Sequence, residues 1–325
     1  MRFNSVEYSA YSIVELIKLS LVSFFLRTMR TLNKHTALVT GGTGGIGFHT
    51  AVGLARAGAR VFVTGRNETR GRQAIKEMRR LAGHDAIDLL IADTSSVRAN
   101  VWLAEEISRR VLHLDILVNN AGRVILSRTE TPEGFEASVA LNFIGPFALT
   151  THLLPLLSQA PAARVVNVVS SAFEMWTRDP FEDLEHRRTY VAIEAHARAK
   201  LLNLLFTLAL ARRLAGSCVV ANAVNPGMAW TPGVAALTPD AVPHWRFIWP
   251  IVRWIQRRAS AQAAAAAPLL LASSPALAHV SGRYFNGVKE KRLPGRVTDA
   301  TTQDRTWALG ESLVTRVLGA DGRTA

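Results

Sequence analysis

The chain has 325 residues, 49% of them hydrophobic and 19% charged, which supplies a sizeable core and excludes a mostly disordered chain. Lys and Arg number 38 against 25 Asp and Glu, a net charge of +13, while the lone cysteine excludes an internal disulfide framework and a cysteine-rich zinc site. The charge favours contact with anions, but neither a block of like charges nor a nucleic-acid-binding module is legible, so nucleic acid is not an expected partner.

Residues 1–33 read as a helical extension. Apolar residues recur at helical spacing through Ile13, Leu16, Ile17, Leu21, Phe24 and Phe25, and Arg27, Arg30 and Lys34 follow. The run falls short of the roughly 20 residues a bilayer crossing needs, and Glu15 and Lys18 interrupt it. Residues 13–30 fit an amphipathic helix lying in a membrane interface. A helix packed on the protein's own core, or on a second subunit, fits the same pattern. No secretory cleavage site follows the run, so the expected location is cytoplasmic, with peripheral membrane contact through this segment.

From Lys34 onward short apolar runs alternate with helical patterns. The runs are Thr36–Thr40, Arg60–Thr64, Ile87–Ala92, Ile116–Val118, Arg164–Val169 and Val219–Val224. The helical patterns between them cover Gly47–Ala57, Thr69–Ala82, Ser96–Val111, Phe147–Leu157 and Ala195–Leu214, and the alanine run Ala263–Ala267 predicts one more. Buried strands alternating with helices predict an α/β fold, a Rossmann-type doubly wound parallel sheet. No Pro/Gly/Ser-rich linker divides residues 34–325, which read as one domain.

The first strand runs into Thr40-Gly41-Gly42-Thr43-Gly44-Gly45-Ile46-Gly47, and a helix opens directly after it. Glycines there let backbone N–H groups approach a pyrophosphate, and the helix N-terminus adds partial positive charge. Thr40, Gly41, Thr43, Gly45, Ile46 and Gly47 are therefore candidate contacts to a dinucleotide. The second strand ends at Thr64-Gly65-Arg66. An acidic residue there would favour the ribose diol of NAD; Arg66 instead offers a fork suited to a 2′-phosphate, so NADP is expected in preference to NAD. Asp93, ending the third strand, could accept from the adenine amino group.

Together, Thr40-Gly41…Gly45…Gly47, Asn119-Asn120-Ala121-Gly122, Asn142, the serines after Val169, and Pro226-Gly227…Thr231 resemble the short-chain dehydrogenase/reductase family over about residues 34 to 318. Asn142–Thr150 and Ser281–Phe285 resemble its retinol-dehydrogenase-like branch. The resemblance implies roles. Asn119, Ala121 and Gly122 would stabilise the sheet and line the adenine side. Asn142 would hold a water in a proton relay. Ser171, or its neighbour Ser170, would bond the substrate oxygen. Lys200 would bond the nicotinamide ribose and tune the acid/base group. Thr231, after Pro226 and Gly227, would bind near the nicotinamide amide or the phosphates. A homodimer paired through the helix carrying Lys200 and its neighbour is also implied.

The pattern breaks at one position. The family's acid/base is a tyrosine four residues before the lysine, and here that residue is His196. Beside the Lys200 cation an imidazole tends to stay neutral; it then accepts a proton well and donates one poorly. Three readings stay open: redox chemistry through His196 with Ser171 and Lys200, redox chemistry with Tyr190 or a water as donor, and a nucleotide-binding protein without ordinary redox activity. His49, His152 and His186 show no metal-ligand spacing, and no metal is expected. The segment at about 228–260, a lid in the family, is rich in aromatic and apolar residues, from Trp230 through His244-Trp245-Arg246-Phe247-Ile248-Trp249 to Trp254-Ile255. It suits a lipophilic substrate or a membrane interface, or a core helix under the lid.

Overall fold

The β-branched and aliphatic runs pair into one eight-stranded sheet of order β3-β2-β1-β4-β5-β6-β7-β8 in a computed structural model that describes residues 31–176, 178–242 and 247–319. Most of the N-terminal extension, with His244, Trp245 and Arg246 of the lid, lies outside the described residues. The strands are β1 (Thr36–Val39), β2 (Arg60–Gly65), β3 (Ile87–Ile91), β4 (Ile116–Asn119), β5 (Ala163–Val168), β6 (Val219–Asn225), β7 (Tyr284–Asn286) and β8 (Lys289–Glu290). All neighbours are parallel except β7 and β8. Both faces of a parallel sheet are covered by crossover helices, which is why β1, β4, β5 and β6 are buried along their whole length.

The crossover helices are α1 (Gly45–Arg56), α2 (Glu68–Ala82), α3 (Val97–Arg110), α4 (Ala137–Ser158) and α5 (Ala192–Arg213). Local chemistry sets their ends. Asn67 and Ser96 accept from the backbone of Arg70 and Ala99 and so cap α2 and α3, and Gly83 closes α2 in the left-handed region. Within α4 the stretch Ala140–Ile144 is π-helical, a local widening that recurs at functional sites and here carries Asn142. This helix is long and apolar enough to cross a membrane, but it is mostly buried in the core.

The alanine run forms the turn Ala261–Ala264, a break at Ala265, and then α7 (Ala266–Ser273) after the lid helix α6 (Trp249–Arg257). A last helix, α8 (Ala300–Leu318), had no counterpart among the sequence expectations, nor had β7 and β8. Helix α8 lies along α5, where the Phe147, Phe206 and Trp307 rings meet at 5.0–6.0 Å. Nearly every residue of α5 up to Ala211 is buried within the chain itself.

Candidate active site

The strand order reverses between β1 and β4, and a crevice opens at their carboxyl ends, where doubly wound sheets bind ligands. One wall is the turn between β1 and α1. The Thr40 hydroxyl accepts from the N–H groups of Asn120 and Ala121, both at 3.0 Å, and ties the turn to the segment after β4. Asn120 returns the contact, its amide donating to the Thr40 and Gly41 carbonyls at 2.9 and 3.3 Å. Gly41 has a φ of +61°, and a Cβ there would lie 2.9 Å from the Ala121 Cα. Gly45 has a φ of +56°, and a Cβ there would lie 2.9 Å from the Thr231 methyl, so Thr231 of the lid rests on the turn.

The turn fits a dinucleotide on two grounds. No side chain caps the N-terminus of α1, which leaves its first N–H groups for an anion, and the space beside Gly44 is open to 4 Å. Gly122 is a third close approach, since a Cβ there would lie 2.6 Å from Asn142 Oδ1 and 2.9 Å from Lys200 Nζ. Thr43 packs on Gly65 beside Arg66, and the mostly exposed Arg66 guanidinium lies 3.7 Å from the Asp93 carboxylate. Burial pushes the Asp93 carboxyl up, but hydrogen bonds from the Ser95 N–H and hydroxyl and the Arg66 charge outweigh it and hold it below the usual range. Pro226 and Gly227 follow β6, where the Gly227 N–H donates to Asn225 Oδ1 at 3.3 Å.

The facing wall is α5. His196, Lys200, Asn203 and Thr207 recur every three or four residues and share one face of it. That face is tied to the sheet by buried amides. Asn203 donates to the Asn142 carbonyl, Asn167 to the Thr207 hydroxyl, and Asn119 to Asn167 Oδ1 and the Thr150 hydroxyl, each at 2.8 Å. Lys200 Nζ donates to the Val168 carbonyl at 2.8 Å and keeps two further hydrogens for other acceptors. Burial lowers the Lys200 ammonium to about 7. The His196 ring is buried, with Nδ1 3.3 Å from the Arg123 carbonyl. Burial first, and the Lys200 charge second, push its pKa down to about 3.

The structure thus brings His196, Lys200, Asn142 and Gly122 together. Ser170 ends the strand side, its hydroxyl accepting from the Ala172 N–H at 3.2 Å, while Ser171 opens a short 3-10 helix, Ser171–Met175, and is exposed. The Tyr190 hydroxyl donates to the Ile125 carbonyl at 2.8 Å, and burial raises its pKa further above its ordinary value. Sequence reasoning missed Asn203 and Arg198. Asn203 was readable from its spacing, seven residues after His196. Arg198 is fully buried and donates to the carbonyls of Glu182, Asp183 and Leu184, anchoring that loop to α5. Arg123 acts through its backbone, which no side-chain pattern reveals. Among the described residues no cluster of metal ligands occurs. A separate open groove of about 740 Å³ lies between α2 and β3, lined by Arg72, Lys76 and Asp88 among others, at the sheet edge away from the glycine turn.

A crevice at the switch point, a glycine turn opening onto an uncapped helix and a lysine on the facing helix define a nucleotide-binding α/β oxidoreductase. A family model described as short chain dehydrogenase matches residues 35–241. Mouse retinol dehydrogenase 14 is 34% identical over 290 residues, 86% of this chain and 85% of that protein. Human retinol dehydrogenase 12 is 34% identical over 92% of this chain and 93% of its own length, and mouse polyprenol dehydrogenase 36% identical over 88% and 84%. Among solved structures, the Pseudomonas aeruginosa RhlG/NADP active-site complex superposes with a TM-score of 0.61 at 28% identity, covering 79% of this chain and 95% of that one. The chain belongs to the short-chain dehydrogenase/reductase family, in its retinol-dehydrogenase-like branch. It is accordingly an NAD(P)-dependent oxidoreductase acting on CH–OH groups.

Proposed function

We propose that the protein is an NADP-preferring oxidoreductase that moves a hydride between nicotinamide and a hydrophobic alcohol or ketone through Ser171, His196 and Lys200, with Asn142 behind them. The observation that carries this reading is the His196 imidazole, buried one helical turn from Lys200 and held beside the Arg123 carbonyl, next to Gly122, which Asn142 and Lys200 approach closely. The bound nicotinamide would supply the hydride acceptor or donor. The uncapped N-terminus of α1 would hold the pyrophosphate, with Thr231 closing over it from the lid. Arg66 would take the 2′-phosphate, with NAD as the weaker alternative. Lys200 would bond the nicotinamide ribose with its two free hydrogens. Ser171 would orient the substrate oxygen; Ser170 is already engaged as a cap.

Hydrophobic substrates are supported by the names of the relatives and by the lid. Helix α6 and the turn before it leave Phe247, Ile248, Ile251, Trp254 and Ile255 exposed, with Arg257 and Arg258 alongside. That row at helical spacing, with the sequence pattern of residues 13–30, supports peripheral membrane contact. A second reading, a nucleotide-binding protein without ordinary redox activity, is favoured by His196 itself, an imidazole where the family resemblance implies a phenol.

Fluorescence titration with NADPH and NADH, followed by a panel of lipophilic alcohols and ketones, tests the reading. Tighter binding of NADPH and turnover of at least one lipophilic compound are expected. Binding of neither nucleotide overturns it, and preference for NADH removes the role of Arg66. Activity gained only in His196→Tyr favours the second reading.

A further inference from the structure

We propose that the Arg123 backbone carbonyl fixes the His196 ring as its Nδ1–H tautomer, dedicates Nε2 to accepting a proton, and so makes an alcohol the substrate this site activates. The inference rests on the oxidoreductase reading above and deepens it by assigning the substrate class and the direction of hydride transfer.

A carbonyl oxygen can only accept, so the ring nitrogen 3.3 Å from the Arg123 oxygen carries the hydrogen. A neutral imidazole has one N–H, and Nε2 is left as a lone pair. The carbonyl is itself held in place. Asn142 Nδ2 donates to it at 3.2 Å and to the Ser138 carbonyl at 2.9 Å. Among the described residues Nε2 has no hydrogen-bond partner, yet it is not one of the sealed polar atoms of the core. The open polar atom of an otherwise buried ring is therefore an acceptor, and it is matched by a group that donates: the hydroxyl of an alcohol. A ketone oxygen brings a second lone pair against the first.

Charging the ring would reverse the match, and its surroundings oppose that. The Lys200 ammonium is the charge that bears on it. The acidic groups on neighbouring elements are engaged elsewhere. Glu136 accepts from the Ser138 and Val139 N–H groups, Glu174 pairs with Lys291, and Glu194 pairs with Arg178. The Arg198 guanidinium is turned to the carbonyls of the 182–184 loop.

In the step, the alcohol O–H bond breaks and its proton passes to Nε2. The carbinol C–H bond breaks with both electrons leaving as hydride to an oxidised nicotinamide dinucleotide, and the oxygen electrons form the C=O bond. The imidazolium, disfavoured beside Lys200, returns its proton to solvent. Reduction needs that imidazolium at the outset. A phenol at this position has the opposite habit, since its neutral form is the donor.

Two measurements test this. The first is ¹⁵N NMR of the histidine ring nitrogens in the nucleotide-free protein, the His196 signals being those absent from His196→Gln. A protonated Nδ1, a bare Nε2 and a ring still neutral at about pH 5 are expected. The second is kcat/KM in both directions, with NADP⁺ and with NADPH, from about pH 5.5 to about 8.5 in the parent protein and in His196→Tyr. Lys200 is common to both, so its own titration drops out of the comparison. Relative to His196→Tyr, oxidation by the parent should lose ground as the pH rises, and reduction by the parent should fall by about tenfold per pH unit. An Nε2–H ring, a ring charged at neutral pH, or a parent profile of the tyrosine kind overturns the inference while nucleotide binding stands. Absence of turnover in both directions overturns the alcohol assignment together with the oxidoreductase reading. Should His196→Tyr fail to fold, the NMR and the parent profile still decide.

Discussion

The glycine turn after β1 and the face of α5 that carries His196 lie across one crevice, yet they are made of different materials. The turn is backbone: left-handed glycines at 41 and 45, and N–H groups gathered onto the Thr40 hydroxyl. It contains no buried ionisable group. The α5 side is side-chain chemistry, with His196, Arg198 and Lys200 all buried and all shifted from their ordinary titration by burial. A backbone cradle tolerates few substitutions because its shape depends on the absence of Cβ atoms. A side-chain site can exchange one functional group for another and keep its frame. Here the α5 side presents the imidazole of His196 one helical turn before Lys200.

The sharpest way to break the cradle is to give it a side chain. Gly41→Val combines a φ that β-branched residues avoid with a Cβ 2.9 Å from the Ala121 backbone. Nucleotide affinity should fall by about a hundredfold or more, read by fluorescence titration, equivalent to about 3 kcal/mol. Affinity within about twofold of the parent would mean that the turn is not the binding element. Next in size is Arg66→Glu, which sets a carboxylate against the 2′-phosphate and frees Asp93 from its partner at 3.7 Å. The ratio of NADPH to NADH affinity should drop by at least about tenfold. An unchanged ratio would place 2′-phosphate recognition elsewhere.

The same division decided what could be read in advance. All six strands from β1 to β6 were legible to within a residue or so because a buried parallel strand is written as an uninterrupted aliphatic run. The glycine turn was legible because only glycine satisfies its geometry. Strands β7 and β8 were not, being three and two residues long at the sheet edge. Helix α8 went unread although Asp299 caps it and Leu313, Val314, Val317 and Leu318 follow helical spacing, because its first two turns, Ala300–Thr306, carry no apolar side chain larger than alanine. His196, four residues before Lys200, was visible in sequence, but the tautomer proposed for it was not. It is set by the main-chain oxygen of Arg123, and backbone acceptors leave no mark in a sequence.

The lid sharpens the comparison on the substrate side. In α6, Ile251 and Trp254 point outward while Gln256 is buried and Arg253 stacks on Trp230 at 4.8 Å. Ile251→Ser with Trp254→Ser removes exposed apolar surface without disturbing that stack. Co-sedimentation with anionic phosphatidylserine vesicles should fall by about fivefold, while NADPH affinity holds. Unchanged sedimentation would take α6 out of the membrane contact.

Acid should reveal the smallest of these differences, because the histidines whose pKa burial lowers furthest, His186 and His196, lie on the α5 side of the crevice. His186 sits between the Trp176 and Tyr190 rings with a φ of +47°. Burial, then the Arg198 charge, lower it to about 4 from 6.5. Between those values the unfolded chain holds a proton there that the folded chain does not, so stability is intact above about pH 6.5 and declines as the pH falls toward about 4. His196 adds to the same decline down to about 3. His186→Asn keeps a residue that tolerates positive φ and removes the titration. The drop in Tm between about pH 7 and about pH 4.5 should then shrink by about 3 °C relative to the parent, after discounting for partial screening. Comparing each protein with itself cancels the ring packing lost in the variant. Hydrogen exchange at low pH should quicken in residues 182–200 before it quickens in β1 and β2, and equal acceleration on both sides would mean that the buried cations of α5 do not govern the acid response.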